Sequence, residues 1–211
     1  GFNGKSALIF NNILNVNNNL NSSSCNIIFN SFSAQHLNVI NKKNIMEYYV
    51  DFETVNLTDI DNSDEIIYMI GLGWIEKNEW CYQNWTVDTL SNKNEEDITV
   101  EWLHFMKNKA NNLDYVVYHW SKAEVNLLNK FFKKSPVLES KLKEQNLIPT
   151  WFDLLDLFRQ TPITLKNSFS YSLKDVTNSL YKQNIIQTFW PNESIDGFKA
   201  MMLGYIANEF A

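Results

Sequence analysis

The sequence predicts an α/β domain: a mixed sheet that opens with an antiparallel three-strand meander and carries packed helices. Three observations predict it. The runs "MEYYVDFET", "EIIYMIGLGWIE" and "EWCYQNWTV" follow one another as strand-like segments, the last two separated by the turn-prone pair Lys77-Asn78. The next segment switches to helical spacing. A short apolar run, "DYVVYHW", then returns to strand character before another helix.

Taken in order, residues 11–44 are studded with Asn and Ser and hold no sustained period, which makes 1–44 an Asn-rich linker or loosely packed extension. Gly4-Lys5-Ser6 lies before an apolar run, but the strand and first glycine of a phosphate-binding loop are missing. The domain proper is expected over 45–211. In its first strand Tyr49, Asp51 and Glu53 share one side while Tyr48, Val50 and Phe52 share the other. "NEEDITVEWLHFMKNKA" sets Ile98, Trp102, Phe105 and Met106 at helical spacing, with acids in its first turn and lysines in its last, as the helix dipole favours. "DYVVYHW" is a buried strand. "SKAEVNLLNKFFKK" is a helix presenting Val125, Leu128 and Phe132 on one face and stopping near Pro136. "TWFDLLDLFRQ" reads as strand into helix, with Asp153 and Asp156 fixing a turn and the helix start; "SYSLKDVTNSLYKQ" is a helix begun at Ser172, and "IDGFKAMMLGYIANEF" a last helix begun near Asp196. The order β-β-β-α-β-α, then helices, is that of a ribonuclease H-like fold.

Composition bounds the function. A chain of 211 residues, 45% hydrophobic, suits one well-buried domain with a short appendage. No run approaches the roughly 18 consecutive apolar residues of a membrane helix. The net charge of −6 argues against a wide polyanion-gripping surface. It is compatible with a metal-dependent site, whose carboxylates add to the acidic total. Cys25 and Cys81 are too few for a disulfide framework or a Cys-rich zinc site, so a reducing, intracellular compartment (cytoplasm or nucleus) is expected. Asn-x-Ser/Thr triplets at Asn21, Asn56, Asn84 and Asn192 are expected by chance in so Asn-rich a chain. The first residue, Gly1, leads us to expect a piece of a longer product.

Asp51 and Glu53 stand side by side on their strand, and like charges there raise each other's pKa unless a cation lies between them. The pair therefore reads as half of a metal site. The helix after the fourth strand offers Glu124 to the same sheet edge. These residues resemble the DEDD (DnaQ-like) 3′–5′ exonuclease superfamily, whose first motif matches Asp51-Phe52-Glu53 and whose second is an acid opening the helix after the fourth strand. "VYHWSKAE", "WFDLLDLFR" and "YSLKDV" are similar, in order and spacing, to the ribonuclease H-like nuclease branch found beside RecB-type nuclease and helicase modules. The resemblance covers Met46 to Ala211.

That resemblance implies a 3′–5′ exonuclease with two divalent cations, Mg²⁺ or Mn²⁺. Asp51 would bridge both ions, Glu53 would bind the ion that activates water, and Glu124 with a fourth acid would complete the second coordination sphere. The implied partners are a single-stranded 3′ end of DNA or RNA, and helicase or nuclease modules in the same chain or complex; no membrane is involved. Lys174 would touch a substrate phosphate and Trp120 would stack on a base. Two departures stand out: the second-motif acid is Glu where the superfamily usually has Asp, and the fourth Asp is not found before Ala211, so the domain is expected to lack its last helix.

Each residue also has a plainer reading. Asp51 and Glu53 are then a strand end facing water. Ser121 to Glu124 is a capping box, and Ser172 to Asp175 reads the same way and is expected to be one. His36, His104 and His119 have no zinc-ligand spacing and are assigned to no metal. Trp120, Trp151, Trp190 and Tyr171 are mostly core. The matching alternative for the whole chain is a catalytically incomplete ribonuclease H-like module that binds nucleic acid or a partner protein.

Overall fold

A computed structural model describes residues 27–28, 32–59 and 62–189. Its strands are β1 (Ile27–Ile28), β2 (Ile45–Asp59), β3 (Asn62–Glu76), β4 (Glu79–Thr86), β5 (Asp114–His119), β6 (Thr150–Asp153) and β7 (Thr164–Leu165). The helices are α1 (Ala34–Ile40), α2 (Asn92–Ala110), α3 (Ala123–Lys134), α4 (Pro136–Glu144), α5 (Leu154–Gln160) and α6 (Leu173–Lys182). The described chain divides into two compact units, one of Lys43–Phe152 and one joining the segments up to Lys42 with those from Asp153 on.

The first unit is built on a five-stranded sheet of order β4-β3-β2-β5-β6. β2, β3 and β4 form the antiparallel meander, and β2 pairs parallel with β5 on its other side. Lys77 and Asn78, at φ 52° and 65°, close the β3–β4 hairpin. Two consecutive left-handed residues match the right-handed twist of the strands. The mixed sheet with packed helices is the ribonuclease H-like architecture that the element order predicts.

Alternation along β2 decides which face is core. Tyr48, Val50 and Phe52 are buried against α2, where Phe52 meets the Trp102 ring edge-on at 5.3 Å and the Tyr48 hydroxyl donates to the Met106 carbonyl at 2.8 Å. α2 is opened by Ser91, whose hydroxyl accepts from the Asn94 N–H at 3.2 Å, and closed by Asn111 in the left-handed region. Burying each such aromatic or aliphatic side chain stabilises the fold by about 1.5–3 kcal/mol. In α3 the buried stripe is Glu124, Leu128 and Phe131, joined by Phe132, while Val125 is only half-buried. The expected face is thus rotated by about one residue, and it carries Glu124 inward. Pro136 does more than end α3: it sits in the first turn of α4, where a missing N–H costs nothing, and α4 adds Leu142 to the core.

β2 and β3 slip in register between Glu53 and Thr54, with Glu53 opposite Met69 and Thr54 opposite Ile67. The extra residue is Tyr68. This bulge lets Ile67 stay with the α2-side core while Ile66 and Tyr68 join Val55 in a small cluster on the opposite face. Beside the bulge the Ile67 N–H donates to Oε1 of the fully buried Glu95 at 2.9 Å, and Lys134 meets Oε2 at 3.2 Å. Glu95 is therefore a structural acid.

In the second unit β1 pairs antiparallel with β7. α1, capped by Ser33, also falls within the Asn-rich stretch 11–44. Asp153 caps α5, accepting from the N–H groups of Leu155 and Asp156 at 2.9 and 3.3 Å, as expected for a helix start. Ser172 caps α6 through the Asp175 N–H at 3.1 Å. The Asp175 carboxylate turns to the Ser170 hydroxyl, so the cap is formed without the reciprocal half of the box. The helix expected near Asp196, together with Trp190, Cys25 and Gly4-Lys5-Ser6, lies outside the described residues. Among the described residues no helix is long and apolar enough to cross a membrane.

Candidate active site

Asp51 lies where the sheet opens. The parallel pairing of β2 with β5 runs from Ile45 opposite Asp114 to Tyr49 opposite Tyr118, and β5 ends one residue later at His119. Carboxyl ends of neighbouring parallel strands are where α/β sheets present a crevice. Asp51 is two residues past the last pair on β2, opposite Gly71 of β3 on its other side. Glu53 follows on the same face beside the bulge.

The loop after β5 delivers Glu124. Ser121 takes φ 83°, turning the chain so that α3 begins at Ala123. The position before α3 is Lys122, which makes no side-chain cap, so the helix does not open on Ser121 as a capping box would have it. Glu124 is instead buried. Its Oε2 accepts no hydrogen bond and lies 3.5 Å from Nδ1 of His119, also buried. That ring nitrogen further contacts the Ser121 carbonyl. Because both neighbours of Nδ1 are acceptors, the proton belongs on Nδ1. Trp151 packs edge-on against the imidazole at 5.3 Å and fixes its plane.

The Glu124 charge acts on Asp51, and Asp51 in turn on Glu53. Asp51 keeps accessible surface, yet its carboxyl is pushed above the usual range, first by lost hydration and then by the Glu124 charge, with a backbone hydrogen bond at Phe52 acting the other way. Glu53 is raised by burial and then by Asp51. Tyr68, carried to this face by the bulge, is raised by its own burial and by Glu53. Among the described residues, no three His, Cys, Asp or Glu side chains converge into a group that would hold a metal ion. The acids are linked as neighbours, Glu53 to Asp51 to Glu124, rather than gathered around one point. The donor set nonetheless suits a hard cation: all three are carboxylates, and the buried Oε2 of Glu124 lacks a hydrogen-bond donor.

The remaining predicted site residues divide. Trp120 is half-buried in the loop between β5 and α3, on the path from His119 to Glu124. Lys174 is exposed in the first turn of α6, in the second unit. His119, assigned no role from spacing, is the direct neighbour of Glu124. Tyr68 was also missed, since a bulge leaves no mark in an apolar run such as "EIIYMIG".

No curated protein matches the chain. A family model described as the RNase_H superfamily matches residues 48–203, from the strand bearing Asp51 through α3 and beyond α6. The match covers well over half of the 211 residues and takes in all three acids. With a ribonuclease H-like sheet and carboxylates at its opening, the chain belongs to the RNase H superfamily, which suggests a hydrolytic nuclease acting on nucleic acid.

Proposed function

We propose that this chain is a metal-dependent 3′–5′ exonuclease of the DEDD type, hydrolysing phosphodiester bonds of DNA or RNA with Asp51, Glu53 and Glu124 as the cation-holding residues. The observation that carries the reading is the pairing of Asp51 with Glu124: two carboxylates from different elements, close enough for one charge to raise the other's pKa, one of them buried without a hydrogen-bond donor on Oε2. Such an arrangement is unfavourable by itself and becomes favourable when positive charge is shared between the groups.

Two hard divalent cations, Mg²⁺ or Mn²⁺, supply the charge neutralisation and the lowered water pKa that phosphodiester hydrolysis needs. The residues' own work is placement. β2 presents Asp51 and Glu53 from a rigid central strand; α3 brings Glu124 to the adjoining strand end; His119, itself seated against the Ser121 carbonyl and the Trp151 ring, stands beside Glu124. The 3′–5′ direction rests on the match of Asp51-Phe52-Glu53 and Glu124 to the first two DEDD motifs.

A 5′-labelled oligonucleotide incubated with the protein and Mn²⁺ tests this. A ladder of progressively shortened labelled products, absent in EDTA and absent for Asp51→Asn, is expected. Cutting of a circular single strand would contradict the exonuclease assignment, and no cutting of any strand would contradict the enzyme. A second reading, a module that binds nucleic acid or a partner without cutting it, is favoured by one feature: no three candidate ligands converge among the described residues.

A further inference from the structure

We propose that the sheet face beside Asp51 is a stacking platform for unpaired nucleobases, with Trp80 and Tyr82 of β4 as its two rings. It rests on the nuclease reading above for the kind of ligand that reaches this face, and it adds the two rings that would hold the bases of that strand.

The platform begins with two glycines in the middle of β3. A Cβ at Gly73 would stand 2.1 Å from the Trp80 ring, and one at Gly71 would stand 2.9 Å from the Tyr82 hydroxyl oxygen. Both rings therefore lie down against the strand backbone in the space that side chains would fill. Each also leans diagonally: Trp80 pairs with Ile75 but covers Gly73, and Tyr82 pairs with Gly73 but covers Gly71. The lean is toward the acids, because Gly71 is the residue opposite Asp51. Tyr49, on the face of β2 that carries Asp51 and Glu53, meets Trp80 at 5.6 Å and stacks on Tyr118 at 5.4 Å, extending the row across the sheet.

Two large aromatic rings remain open to water here, Trp80 at 61% and Tyr82 at 58%. A ring resting over a glycine leaves its outer side to water, and that side suits another flat ring. Stacking of that kind is tolerant of base identity and is used where a single strand must be held beside a reaction centre. Local charge points the same way. The row's own ionic neighbour is Glu47, which accepts from the Tyr118 hydroxyl at 3.1 Å and the Tyr49 hydroxyl at 3.4 Å. A carboxylate there disfavours phosphate, so the neutral bases are the part of a strand that this surface accepts. A duplex, with its bases already stacked on one another, has none to offer.

The test uses fluorescence anisotropy with Ca²⁺ present, comparing a labelled oligothymidylate with an abasic strand of the same length and with a duplex. Wild-type protein should bind the oligothymidylate more tightly than either. Trp80→Ala should weaken oligothymidylate binding by about tenfold and leave the abasic strand unchanged, while Trp80→Phe should keep most of the affinity. Equal binding of thymidylate and abasic strands, or tightest binding of the duplex, overturns the proposal. So does a Trp80→Ala protein that melts earlier but binds as before, for the rings would then only cover glycines. Hydrolysis measured on the wild type separates the two readings. Base-dependent binding without hydrolysis upholds the platform and sinks the nuclease; hydrolysis without base dependence does the reverse.

Discussion

Nδ1 of His119 stands 3.5 Å from Oε2 of Glu124, with both side chains buried and the Ser121 carbonyl against the same nitrogen. One imidazole thereby ties the end of β5 to the left-handed turn at Ser121 and to the acid that opens α3. Its contact with the acids is through Glu124, which places it to position that carboxylate.

His119→Ala should lower kcat by roughly tenfold or more with little change in KM, because groups that hold a ligand residue typically matter at that level. His119→Asn, which keeps an N–H donor on a short side chain, should recover part of the loss. A uniform drop explained by the unfolded fraction alone would contradict a positioning role. Steady-state kinetics beside a melting curve decides between them.

Removing a carboxylate from the site should stabilise the metal-free protein. Asp51 is raised by lost hydration and by Glu124, and Glu53 by burial and by Asp51, so each charge is held at a cost. Asp51→Asn or Glu53→Gln at neutral pH should raise Tm by about 1–2 °C, the shift that about 0.5 kcal/mol produces in a chain of this size, because both groups keep accessible surface and solvent screens their charges. Activity should be lost in the same variants, the usual trade between stability and a strained site.

A carboxyl whose folded pKa is raised binds more protons in the folded state than in the unfolded one, so its contribution to stability falls as pH rises from the ordinary carboxylate range through the raised value. Metal-free wild type should therefore lose stability relative to Asp51→Asn/Glu53→Gln across that window, and the difference should vanish below it. Mn²⁺ affinity should run the opposite way and improve with pH, since the cation competes with protons for the same oxygens. Urea unfolding at a series of pH values, with and without Mn²⁺, measures both.

Glu95 gives the contrasting case. Its buried carboxylate accepts from the Ile67 N–H and pairs with Lys134, so Glu95→Ala leaves a buried donor unpaired and the Lys134 ammonium without its carboxylate, with only the Glu65 carbonyl still accepting from it. The expected cost is about 3 kcal/mol by urea unfolding. A buried acid whose removal destabilises, beside acids whose removal stabilises, separates structural from functional carboxylates on one scale.

Much of this was legible in the chain because the relevant signals are local. The side-by-side placement of Asp51 and Glu53 needs only strand alternation, the hairpin needs only Lys77-Asn78, and the starts of α5 and α6 need only Asp153 and Ser172. What stayed hidden depends on pairing across the sheet. The bulge at Tyr68 is a register event between two strands, and it alone brings Tyr68 beside Glu53 and directs the Ile67 N–H to Glu95. Nothing in the run "EIIYMIGLGWIE" marks Gly71 and Gly73 as the positions over which the rings of β4 come to rest. Glu124 has capping as its plainer reading in sequence, and only the turn at Ser121 shows it facing inward. Pro136 read as a stop because a proline that begins the next helix looks the same in sequence.

Mn²⁺ binding by calorimetry to wild type, Asp51→Asn/Glu53→Gln and Glu124→Gln tests whether Asp51, Glu53 and Glu124 hold divalent cations. Stoichiometric binding to the wild type, lost in the double variant and weakened in Glu124→Gln, is the predicted result. Binding that survives unchanged in both variants, or no binding to the wild-type chain, would contradict it.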